Sequence, residues 1–312
     1  MNEGCSCKNV VPTPRPAGCP FDDDDADVII QSSDSVHFKM YKVILGKASP
    51  IFKDIFCLPQ SPPSERSPDD FFHGLPTVKV SEDSHTLLLL FTFCYPMEDP
   101  VLASIDDVRS VLEGAQKYQM DAIAKRARAS WSVVAAADSL KAFAVACRMG
   151  WEDDARVAAR LTLGEAFWPL EPPLPVEFRY VSSENLLRLI SYHRKCAAVA
   201  CQLADDYPWA NQLMNSLACQ HCDKLYKGST QATGLADWLR VFLSSAKSVL
   251  VTRPSSSAVT SGTFAWETMR KSYGCPPCDL PMHVVYKIHT VVELFGKELD
   301  SRIALVTLQL QL

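Results

Sequence analysis

The chain has 312 residues, 47% hydrophobic and 21% charged, an ordinary globular composition with length for roughly two domains, which excludes a small scaffold held only by staples. The 31 basic and 36 acidic side chains leave a formal net charge of −5, no global field for phosphate backbones, so direct nucleic-acid binding through bulk charge is excluded. The longest apolar run, Leu87 to Tyr95, is about half of a membrane span, and no secretory pattern opens the chain; the expectation is a soluble cytoplasmic or nuclear protein with no membrane partner, its 12 cysteines mostly reduced.

Residues 1–25 read as a disordered tail, because Pro12, Pro14 and Pro16 alternate with small or polar residues and Asp22 to Asp25 repel one another. Val28, Ile29 and Ile30 are the first strand candidate, and Val36 to Tyr41 returns as the second strand of a hairpin. Helical spacing follows from Lys42, and Ser49-Pro50, a capping residue before a proline at the first helical position, predicts two short helices joined at Ser49. Proline, serine and aspartate between Leu58 and Gly74 predict an exposed loop, Thr77 to Val80 a third strand, and Ser84 to Cys94 a helix that Tyr95-Pro96 ends. Ile105, Val108, Leu112, Ala115 and Gln119 trace one helical face, with a shorter helix from Met120 to Trp131.

From Asp138 the chain reads as helical. Asp138 caps one helix, Gly150 ends it, and a second carries Ala155, Ala158 and Leu161. A proline-rich linker, 169–176, precedes helices near 183–204, 235–251, 264–272 and 282–299. Val306, Leu308, Leu310 and Leu312 alternate, which predicts a terminal strand or an extended docking segment. His37, His73 and His85 fall near strand or loop ends and read as solvated; the basic cluster Lys125, Arg126 and Arg128 reads as a solvated helix face.

The order strand, strand, helix, helix, strand, helix, loop, helix, helix over residues 26–130 carries specific residues. Asp27-Val28, then Phe38, Tyr41-Lys42, Leu45, Ser49-Pro50 and Phe52, then Thr77 to Val80, Phe91 with Cys94-Tyr95, and Leu112, Ala115 and Tyr118 together resemble the BTB/POZ domain. Tyr41 stands where that family usually has His, and Pro96-Met97 where Thr-Gly is usual. The helical remainder, with Ser191-Tyr192-His193-Arg194-Lys195-Cys196, resembles the BTB proteins of mushroom-forming fungi. The fold expected is therefore α+β, a BTB/POZ domain at 26–130 followed by a mostly α-helical region at 131–312. The resemblance implies a non-enzymatic protein-interaction module, self-associating as a homodimer and transcription-associated in some members, with Asp27 and Lys42 at the charged pair of an interface pocket. A pair of that kind fixes register while adding little net stability; a solvated surface pair is the simpler reading. The alternative within the family is substrate adaptor of a cullin-based ubiquitin ligase, although Ser61 to Asp70 does not reproduce the hydrophobic-then-acidic pattern of cullin-binding members.

Two Cys-x-x-Cys pairs, Cys219 with Cys222 and Cys275 with Cys278, have the spacing that lets both thiolates of a pair reach one tetrahedral zinc ion. A structural zinc on the four cysteines, with His221 and His283 as substitute ligands, stands beside the plainer reading of packed, reduced thiols; otherwise no cofactor is expected. A thiol-disulfide oxidoreductase using Cys275 and Cys278 is the remote alternative, since that turn follows a helical pattern where redox folds place a strand. No nucleophile elbow, phosphate loop or His-Glu-x-x-His occurs in the sequence.

Overall fold

The computed structural model describes residues 14–58, 71–166, 174–206, 208–210, 219, 221, 236–269 and 282–312. The chain divides into two compact units, Met1–Val134 and Ala135–Leu312.

In the first unit, β2 (Val28–Gln31) and β3 (Val36–Met40) form the expected hairpin, with Ile30 opposite Phe38. Helices α1 (Lys42–Ala48) and α2 (Pro50–Cys57) lie in the crossover that returns the chain to β5 (Leu75–Lys79), parallel to β2 with Ile30 beside Val78. With β1 (Arg15–Pro16) and β4 (Phe71–Phe72), the sheet order is β1-β3-β2-β5-β4. Two of its strands correct the sequence reading. Arg15–Pro16 is β1, parallel to β3, with Arg15 N–H bonded to Ser35 C=O at 3.1 Å and Ala17 N–H to His37 C=O at 2.9 Å. The expected tail therefore belongs to the fold from residue 14: open donors and acceptors on the edge of β3 take up a proline-rich segment that has no core pattern of its own. Likewise Phe71–Phe72 is β4, antiparallel to β5, where a loop was expected. His73 at φ 50° and Gly74 at φ 81° join them, the two positive φ values of the tight hairpin turn whose twist matches its strands. The rest of the expected loop, 59–70, lies outside the described residues.

Helices α3 (Ser84–Thr92), α4 (Ile105–Lys117), α5 (Asp121–Arg128) and α6 (Trp131–Ala137) follow. Local chemistry accounts for their starts. Asp83 accepts from Thr86 N–H ahead of α3, and Ser104 and Asp107 form a reciprocal capping box on α4. Fully buried Phe21, Phe38, Phe52 and Phe91 make the centre of the core, with ring centroids 5.5 Å apart for Phe21 and Phe38 and 5.6 Å for Phe38 and Phe91.

Ser49 joins two elements at once. Its side-chain oxygen accepts from Phe52 N–H at 3.0 Å, capping α2, and its hydroxyl donates to Tyr118 C=O at 2.6 Å, 69 positions away. Ser49→Ala removes a cap and leaves a buried carbonyl short of a donor. The expected loss is about 2–3 kcal/mol, read as a lowered urea midpoint at unchanged slope.

The second unit is helical. Asp138 accepts from Lys141 N–H at the start of α7 (Ser139–Met149), and Gly150 ends it at φ 68°, before α8 (Glu152–Leu161). The linker 169–176 lies outside the described residues up to 173; Val176–Tyr180 is a short 3-10 turn. Then come α9 (Ser183–Asp205), α10 (Asp237–Leu250), α11 (Ser257–Thr260), α12 (Gly262–Met269) and α13 (Met282–Ala304). Phe295 of α13 packs edge-on against Phe242 of α10 at 5.8 Å and Trp209 at 5.3 Å. Gly296 permits the close pass of α13 over α11, since a Cβ there would stand 2.6 Å from Thr260 Cγ2. The terminal alternation is an extended docking segment, not a strand. Arg156 donates to Leu308 C=O at 3.3 Å, Arg188 to Gln309 C=O at 3.2 Å, and the Asn185 amide pairs with both Gln311 C=O and Gln311 N–H; side chains of α8 and α9 satisfy a backbone that has no neighbouring strand.

Candidate interaction surface

Asp27 leads into β2 and Lys42 opens α1, so the strand hairpin brings the two together. The contact runs through the backbone: Lys42 N–H donates to Asp27 Oδ1 at 2.7 Å, while Asp27 N–H bonds Met40 C=O at 3.2 Å. The first N–H groups of a helix have no intrahelical acceptor, and Tyr41 at the cap position supplies none from its side chain. Asp27 fills that role from the preceding strand and sets a negative charge at the helix N-terminus. The contact between Asp27 and Lys42 is thus a carboxylate-to-backbone bond, and among the described residues no ion pair joins the two side chains.

The acidic run beside this point is held down as well. Lys39 Nζ donates to Asp24 Oδ1 at 2.8 Å and to Asp22 C=O at 3.2 Å, and Tyr41 OH donates to Asp23 Oδ2 at 2.8 Å. The Lys39 bond holds the Asp24 carboxyl below the usual carboxylate range, and the Asp23 bond pushes the Tyr41 phenol up. Val43, next to Lys42, is 62% exposed, and Leu58 beyond α2 is 63% exposed.

Behind the helices lies a second polar network. Tyr118 OH donates to Glu82 Oε2 at 2.5 Å and Lys117 Nζ to Glu82 Oε1 at 2.7 Å. Burial works against the Glu82 charge, but the bonds from Lys117 and Tyr118 outweigh it and hold the carboxyl below its ordinary range; burial and the same carboxylate raise the Tyr118 phenol. This network fixes α4 to the segment before α3. The basic cluster on α5 is exposed, as read, although Arg126 also reaches the end of α3. Arg126 Nε donates to Asp99 at 3.0 Å and Nη1 to Phe93 C=O at 3.0 Å, with its guanidinium 5.0 Å from the Phe93 ring centroid, so the carbonyl at the end of α3 recruits one of the three cations.

Of the four cysteines proposed as zinc ligands, Cys219 is described and half-buried; Cys222, Cys275 and Cys278 lie outside the described residues, as does the side chain of His283. Elsewhere the described thiols divide: Cys19 and Cys57 are exposed, whereas burial pushes Cys147 up to about 12 and Cys196 up to about 11. The histidines divide. His85 is exposed and bonds Asp107 at 2.8 Å, whereas His37 is 6% exposed and corrects the solvated reading. Its alternation with Lys39 along β3 places it on the outer face of the sheet; what covers it, β4 and the segment before β2, is distant in sequence and leaves no local signal.

Residues 21–131 match the family model of the BTB/POZ domain. No curated protein matches the chain. Among the described residues, no helix is long and apolar enough to cross a membrane.

Proposed function

We propose, for a chain whose residues 21–131 are a BTB/POZ domain, that it acts as a non-enzymatic scaffold or regulator that self-associates through this domain. The BTB/POZ domain is a protein-interaction module, and the match to it over one compact unit is the observation that carries the reading. The α1 end is the surface we assign to the partner. Tyr41, Lys42 and Val43 stand in sequence there, with an ammonium that Asp27 leaves free and a valine side chain largely in water. An apolar side chain beside a cation is the composition expected where an interface core meets its rim.

The test is sedimentation equilibrium of the full chain. A dimer is expected at about ten micromolar, and Val43→Asp should weaken it about tenfold, the effect of one buried anchor, with the thermal midpoint unchanged when both proteins are diluted until they are monomeric, because Val43 is exposed in the single chain. A monomer throughout, or a dimer indifferent to Val43→Asp, overturns the reading.

A further inference from the structure

One face of the sheet carries Ile29 from β2, His37 and Lys39 from β3, Leu75 and Thr77 from β5 and Phe72 from β4, as the pairings of Ile29 with Lys39 and Thr77 and of Phe72 with Leu75 require. A cavity of about 600 Å³ opens on this face, closed at its sides by Pro14 to Pro16 and by Phe21 to Asp24. That is the size of a small-molecule site.

Its polar content is unusual. His37 is 6% exposed, yet among the described residues neither of its ring nitrogens has a hydrogen-bond partner; on the same face, though not in the cavity lining, Thr77 Oγ1 is also buried without one. Buried polar atoms left in this way are rare in folded proteins and cost stability unless something satisfies them. Of the charged side chains lining the cavity, Lys39 is paired with Asp24 at 2.8 Å and Arg15 with Asp34 at 3.4 Å, while Asp22 is exposed to water and lends only its backbone carbonyl to Lys39. One side of the wall is aromatic, with the Phe72 ring centroid 4.4 Å from that of His37 and 4.3 Å from that of His73, both edge-on.

We infer that this cavity binds a small uncharged aromatic molecule that carries a hydroxyl or carboxamide, with the His37 imidazole as its hydrogen-bonding partner. Aromatic edges receive a flat ring. A neutral imidazole offers one donor and one acceptor, which matches a group able to act as either. Burial, and after it the neighbouring His73, lowers the His37 pKa, consistent with a neutral ring at pH 7. Lys39 and Arg15 are already paired, so an anionic ligand meets no free cation of theirs, and the one remaining lining carboxylate, Asp22, is exposed to water, where a single ion pair adds little.

The experiment titrates the full chain with phenol and benzamide, and with toluene, benzoate and benzylamine as comparisons, by saturation-transfer NMR and by the ¹⁵N shift of the His37 ring. Phenol and benzamide are expected to saturate in the millimolar range and to bind about fivefold more tightly than toluene, the factor of one net hydrogen bond. His37→Phe keeps an aromatic wall and removes the unpartnered nitrogens, so it should fold and abolish that preference while toluene still binds. Leu75→Trp fills the cavity and should block every probe. No saturable binding, equal affinity for toluene and phenol, a preference for benzoate or benzylamine, or a phenol preference that survives His37→Phe would overturn the inference.

Discussion

Phe91→Ala is expected to lower the stability of the BTB/POZ unit by about 3–5 kcal/mol, the largest loss from any single truncation considered. The ring is fully buried and stands 5.6 Å from Phe38, 6.3 Å from Phe21 and 6.3 Å from Phe52, centroid to centroid. It is therefore the meeting point of β3, α2, α3 and the segment before β2. Truncation removes the transfer energy of the ring and leaves a cavity that four rigid elements cannot close, which places the loss high in the range for such substitutions. Leu88→Ala on the same helix is the control, because Leu88 is 40% exposed, and should cost under about 1 kcal/mol. Urea unfolding of both variants decides the matter: a Phe91→Ala midpoint close to that of Leu88→Ala would mean that the aromatic centre does not hold the unit together.

The second large effect depends on pH. His193 on α9 is buried, and its ring nitrogen Nε2 lies 3.2 Å from Thr162 C=O. Burial lowers its pKa from 6.5 to about 4, against the opposing pull of the Thr162 carbonyl, which favours the charged ring. The folded chain thus prefers the neutral imidazole, whereas the unfolded chain takes up a proton near 6.5. The stability associated with the neutral ring is complete above pH 6.5 and is lost as pH falls towards about 4, amounting to about 2–3 kcal/mol by pH 4.5. His193→Gln has no such titration. The stability difference between wild type and variant should narrow by that amount between about pH 7.5 and pH 4.5, followed by chemical denaturation at both values. A difference that stays constant would show a His193 that protonates in the folded state as readily as in the unfolded one.

Between them, these two sites show which kind of information each level of structure holds. The helix starts at Ser49-Pro50 and Asp138 were readable in the sequence, because a cap satisfies backbone N–H groups two or three residues on and so leaves its mark locally. The hairpin of β2 and β3 and the helices at 183–205 and 237–250 were readable for a related reason: their periodicity repeats within one element. The spacing of Asp27, Phe38, Lys42, Ser49 and Tyr118 carried the family resemblance.

Other features depend on partners far along the chain. Nothing in Arg15–Pro16 says strand until the edge of β3 lies beside it, and Phe21 looks like part of an acidic tail until Phe38 and Tyr95 close around it, at 5.5 and 5.3 Å. His37 alternates with Lys39 and so reads as solvent-facing; only the return of β4, 35 or so positions later, buries it. Likewise the contact between Asp27 and Lys42 was legible as proximity, but whether the carboxylate meets an ammonium or a backbone N–H depends on where the strand points at the open end of α1. The sequence by itself determined the central hairpin and most helices of the first unit, because capping, patterning and turn chemistry act over a few residues, and through the family resemblance it implied an interaction module. Only the tertiary structure decided which segments complete the sheet and which polar atoms end up buried without partners, because burial is a property of what comes to lie on top, and that is set by pairing across the whole unit.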